Sequence, residues 1–156
     1  MKRNLLLSFF LLIGVTAALW WQGTSLVTPQ SPRGIIDLEF AKTAEHFRQL
    51  QFFWNNETAL QNIYLYFLLV IAYSWFLATA CKLLANVRSN LFATLALSAG
   101  AFNVLGNFLM VLIWNQRFAP SLLQMVFYAS VIKCLLIVIV IGFIILSIFG
   151  LFERES

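Results

Sequence analysis

The sequence predicts an all-α protein: a four-helix transmembrane bundle with an amphipathic extracytoplasmic helix between the first and second spans. Three observations predict it. The 156 residues are 62% hydrophobic and 10% charged, with a mean hydropathy of +0.87, whereas a soluble domain is about 45–50% apolar and about 25% charged. Four apolar runs, residues 5–21, 60–83, 91–114 and 122–151, are each long enough to cross the roughly 30 Å hydrocarbon layer as helices. None of them alternates with the period of two that a transmembrane strand needs. The third observation is residues 34–54, the one long stretch of mixed polarity, where Ile36, Phe40, Thr43, Ala44, Phe47, Leu50 and Trp54 share one helical face. Asp37, Lys42, Glu45, His46, Arg48 and Gln49 share the other. The whole chain, 1–156, reads as a single membrane domain.

Lys2 and Arg3 precede the first apolar run, as in a signal peptide or a first anchor, both of which keep a positive start in the cytoplasm. The run is longer than the usual signal core and ends in Trp20-Trp21, which suits a membrane interface, so a retained anchor is expected. Cleavage after Ala17 or Ala18 would leave three spans in the same orientation. From Thr24 to Arg33, Pro29 and Pro32 among polar residues predict an extended connector.

The helix over 34–54 is expected to rest on the bundle or on lipid headgroups through a docking face of Ile36, Glu39, Phe40, Phe47 and Trp54. Glu39 lies at the border of that face beside Thr43 and Leu50, so its carboxylate needs either a distant partner such as Arg117 or a local one such as Lys42. Thr58 and Gln61 read as a capping box for the second span. Asn56-Glu57-Thr58 matches a glycosylation sequon and is read as a chance occurrence. Ser89 and Asn90 are placed to cap the third span, and the short turn before them makes spans two and three antiparallel neighbours.

Basic residues number nearly the same at the two ends of the bundle, but Lys2 and Arg3 flank the first span without any acid, whereas the first connection carries Asp37, Glu39, Glu45 and Glu57. Both termini are therefore expected in the cytoplasm. The net charge of +4 is spread over single residues with no basic stripe, which excludes nucleic acid as a partner. Cys81 and Cys134 form no CxxC pair and lie at or inside spans, which argues against a quinone-linked disulfide oxidase and a disulfide-pinned outer loop.

Lys133 is the most informative residue. It lies 11 positions after Leu122, roughly 17 Å along the helix and near the membrane midplane, where a charge costs about 2.5–3.5 kcal/mol on the lenient insertion scale. On the third span Ala96, Gly100, Asn103 and Asn107 form a small and polar stripe of the kind that packs helices closely. Asn103, Asn107, Tyr73, Ser74 and Lys133 are expected to form one polar layer. No Asp or Glu occurs in any span, so an ion pair within the membrane is not expected from one chain. Lys133 is then neutral, or solvated by Asn103, Tyr73 or water, or met by an anion from a ligand or another chain.

Catalytic groups are few. His46 is the only histidine and lacks a third ligand for a metal, span serines lack a histidine or carboxylate to activate them, and no cofactor or metal is expected. The expected partners are the lipid bilayer and a second membrane protein or a second copy of the chain. The function read from these features is that of a non-catalytic accessory or interaction protein, with a carrier or receptor for a small anionic or lipidic ligand at the Lys133 layer as the rival.

Gly34-Ile35-Ile36-Asp37-Leu38-Glu39-Phe40-Ala41, followed by three spans, resembles a family of small uncharacterised bacterial four-span inner-membrane proteins that share a GI-x-x-x-E start to the outer helix. Their third span commonly carries a D-x-x-E-N-like motif. The corresponding stretch here is Asn103-Val104-Leu105-Gly106-Asn107, in which only the last Asn matches. The resemblance implies the fold and a bacterial inner membrane, and brings no activity with it.

Overall fold

The computed structural model describes residues 2–41, 43–84, 88–115 and 119–150. Four long helices account for most of them: α1 (Lys2–Gly23), α4 (Asn56–Leu83), α5 (Ser89–Trp114) and α6 (Pro120–Ile148). With 22, 28, 26 and 29 residues, each rises more than about 30 Å at 1.5 Å per residue, enough to cross a bilayer. All four are apolar enough to do so, and the protein is a multi-pass membrane bundle. Among the described residues no β-strand forms.

Packing follows chain order. α1 lies against α4, α4 against α5 and α5 against α6, while α4 and α6 barely meet. Gly100 makes the α4–α5 approach possible, because a Cβ there would stand 3.0 Å from Ser74 Cβ. Part of the first connection lies against both α4 and α6.

That connection differs from the single helix expected over 34–54. It contains a five-residue helix, α2 (Ile35–Glu39), and a separate α3 (Ala44–Phe53). Thr43 is extended at φ −123° and ψ 148°, and its hydroxyl accepts from the His46 amide at 3.2 Å, so it starts a new helix rather than continuing the old one. The break has a packing cause. Ile35, Asp37, Leu38 and Glu39 are all buried, which a straight helix lying on one face cannot achieve, whereas a short helix pushed between neighbours can. α2 touches α4, α5 and α6 together. Only α3 has the expected two-faced character, with Phe47 and Leu50 buried and Glu45, Arg48 and Gln49 exposed.

The stretch before α2 is folded, not extended. A 3-10 turn over Thr24–Leu26 is followed by a tight turn in which the Thr28 and Ser31 backbones bond reciprocally at 3.2 and 3.0 Å. Pro29 occupies the second position of that turn, where its fixed φ fits. Ser31 Oγ donates to the Leu26 carbonyl at 2.7 Å and accepts from Trp54 Nε1 at 3.0 Å, fastening the start of the connection to its end. Gly34 then turns the chain down into the bundle at φ +58°, a conformation that side chains disfavour.

The caps are also reassigned. Asn55 caps α4, accepting from the Glu57 and Thr58 amides at 2.9 and 3.2 Å, in place of the expected Thr58–Gln61 box. α5 begins at Ser89 itself, after Arg88 in the cap position, with no side-chain cap.

Two apolar clusters result. One unites the connection with the near ends of α4, α5 and α6 through Leu38, Phe47, Leu50, Ile63, Ile113 and Leu123. There Trp114 stacks on Trp54 at 5.8 Å and meets Phe47 edge-on at 6.0 Å. The other, at the far end, holds Leu77, Cys81, Ala93, Ala96, Val140 and Phe143. Phe92 and Phe143 stack there at 3.8 Å.

Candidate functional site

Between the two clusters, each long helix after α1 contributes a polar residue to one layer. On α5, Asn103 falls between Ala96 and Leu109; on α6, Lys133 falls between Val126 and Val140; on α4, Tyr73 falls between Ile63 and Leu77. Lys133 is 13 residues past Pro120 and 15 before Ile148, so it sits about 20 Å from either end of its helix.

The partner of Lys133 is Glu39. Its two carboxylate oxygens accept from Lys133 Nζ at 2.8 and 2.7 Å, and Asn103 Oδ1 accepts the third bond at 3.0 Å. An ammonium has three donors, so all are used. Both side chains are buried, at 9% and 5% exposure. The expectation that one chain could not build such a pair is corrected here: the acid comes from the connection rather than from a span. α2 carries Glu39 down between α4 and α6, and the neighbouring Phe40 ring packs edge-on against Phe127, seven residues into α6, at 6.1 Å. Arg117 and Lys42, the partners considered from sequence, lie outside the described residues.

The rest of the layer orients the pair. Asn103 Nδ2 donates to Tyr73 Oη at 3.3 Å, and Tyr73 donates to the Ala99 carbonyl at 3.2 Å. Because the ammonium can only donate, Asn103 must present its oxygen to Lys133 and its amide to the tyrosine. Lys133, Asn103 and Tyr73 are therefore brought together. Ser74 is not part of the network: its hydroxyl bonds the Val70 carbonyl one turn back and faces Gly100. Asn107 is fully buried one turn from Asn103, and neither atom of its carboxamide has a hydrogen-bond partner among the described residues.

Of the expected docking face, Phe47, Trp54 and Glu39 are buried and Phe40 is half-buried, whereas Ile36 is exposed at 39%. Asp37, assigned to the polar face, is buried instead. It accepts from the Arg33 amide and Nε, both at 2.9 Å. Both departures follow from the insertion of α2, which no longer shares the face of α3. Among the described residues no three His, Cys, Asp or Glu side chains gather closely enough to hold a metal ion.

Fold and site together define a multi-pass α-helical membrane protein whose first connection re-enters the bundle and is held there by a buried ion pair. Comparison of the chain with protein-family models, with curated proteins and with solved structures finds no match.

Proposed function

We propose that this chain is a non-catalytic accessory or interaction protein of a bacterial inner membrane, with both termini in the cytoplasm. The observation that supports this reading best is the closed state of the central layer. Lys133 has no donor left over, since Glu39 and Asn103 take all three. The pair is spent on holding α2 in place. Removing two charges from water costs several kcal/mol per ion, and good geometry with added hydrogen bonds offsets this. A fixed re-entrant segment shapes the surface at its end of the bundle, which suits a protein that works by being recognised.

The orientation rests on Lys2 and Arg3 flanking the first span with no acid beside them, while Glu45 and Glu57 lie in the connection. Reporter fusions after Ser156 are expected to be active only with a cytoplasmic reporter, and an active periplasmic one would reverse the assignment.

One observation favours the rival carrier reading. The unpartnered Asn107 carboxamide next to the ion pair is the kind of buried group that a small polar ligand would satisfy. Native mass spectrometry of gently extracted protein separates the two. The accessory reading expects a stoichiometric second polypeptide, either another protein or a second copy. A bound species of a few hundred daltons that survives Arg33→Gln and leaves on Asn107→Leu, which keeps the ion pair, would instead establish a carrier.

A further inference from the structure

We infer that the cleft between α1, α4 and the first connection is a binding site for one anionic phospholipid, with the lipid phosphate on Arg33 and an acyl chain along the cleft floor. This does not rest on the accessory reading. The cleft has a volume of about 280 Å³, and its walls are Leu19 and Trp20 from α1, Val27 and Ile35 from the connection and Leu69 from α4. It extends from Thr24 back to Thr16, about 12 Å along the bundle at 1.5 Å per residue. That is room for a length of hydrocarbon chain lying parallel to the helices.

Depth and charge identify the occupant. Trp20 and Trp21 are 79% and 85% exposed, and such an aromatic pair at a span end marks the membrane interface, the level of the lipid phosphates. Arg33 lines the cleft at this end. Its side chain is 64% exposed, yet it is fixed from behind by Asp37, which is buried and engages Nε at 2.9 Å and Nη2 at 2.7 Å. No acceptor among the described residues takes Nη1. A guanidinium anchored on one edge presents the other in a set direction, the arrangement that suits a phosphate oxygen. Asp37 is covered and its bonds are spent on Arg33, so it does not meet the headgroup. A headgroup without its own cation places nothing repulsive against Arg33, which is why an anionic lipid fits better than a zwitterionic one.

The neighbouring contacts keep the cleft in shape. Gln22 Nε2 donates to the Thr58 carbonyl at 3.1 Å and its Oε1 accepts from Asn62 Nδ2 at 2.6 Å, tying the end of α1 to α4. Gly23 permits this, since a Cβ there would stand 3.3 Å from Asn62 Nδ2.

The test is native mass spectrometry of the full chain in mild detergent, titrated in parallel with dioleoylphosphatidylglycerol and dioleoylphosphatidylcholine. Wild type is expected to retain one phosphatidylglycerol with about a five-fold preference, the factor that one basic residue contributes toward an anionic over a neutral membrane surface. Arg33→Gln should abolish the preference, and Arg48→Gln, an exposed arginine on α3, should leave it unchanged. Val27→Trp fills the cleft while keeping both Arg33 and Asp37 in the chain and should lose the bound lipid, so it decides the matter if Arg33→Gln fails to fold. Equal retention of the two lipids by wild type, equal loss in the two arginine variants, or full retention in Val27→Trp would overturn the assignment.

Discussion

Removing one member of the Glu39–Lys133 pair should do far more harm than removing both. In Lys133→Met the methionine keeps most of the apolar stem, but the Glu39 carboxylate is left in a site only 5% exposed with no cation to face. Stranding a buried charge in this way costs about 3–5 kcal/mol. Glu39→Met strands the ammonium with Asn103 as its only remaining acceptor among the described residues, and a similar loss follows. In the double variant both charges are gone and two apolar chains of similar volume fill the layer, a replacement that is often neutral or stabilising by about 1–4 kcal/mol. The assay is unfolding by sodium dodecyl sulfate in mild detergent micelles, followed by circular dichroism, as a double-mutant cycle. The double variant is expected to fall short of the summed single losses by at least about 6 kcal/mol. Additive losses, or single variants as stable as wild type, would refute the idea that this pair holds α2 inside the bundle.

Phe47→Asp, which places a charge where a 2% exposed ring meets Trp114, should cost at least the about 3–5 kcal/mol of deleting a buried aromatic and make the connection sensitive to protease. Arg48→Asp on the exposed face of the same helix should stay within about 0.5 kcal/mol, and equal protease sensitivity of the two would mean that α3 is seated the other way. Asn107→Leu replaces a buried carboxamide that has no partner with an apolar chain of similar size, and should stabilise the purified protein by about 1–3 kcal/mol in the same unfolding assay. Destabilisation of that size would show that the carboxamide is used, and would move the balance toward a ligand at the central layer.

The spans were legible because their signal is a sum over many residues: runs of this length and hydropathy have few ways to be satisfied except as membrane helices. Lys133 was legible as a problem for the same reason, since no neighbouring position in its own span could share the cost of a mid-membrane ammonium. Its solution was not legible from a search confined to the spans. Two residues carried the missing signal. Glu39 sat at the border of an apolar face, and Asp37 was two positions before it, nearly opposite on a helix. One face cannot bury both, yet both are buried at 3% and 4%. A segment with acids on two sides and apolar residues between them satisfies its periodicity as a surface helix only if one acid is left in water. It can instead be surrounded, with each acid matched to a cation: Arg33 four residues back for Asp37, and Lys133, 94 residues on, for Glu39. The first match is local and within reach of a helical wheel. The second depends on the tertiary packing of α2 against three spans at once, and it was the unpaired lysine, more than the acid, that required such a contact to exist.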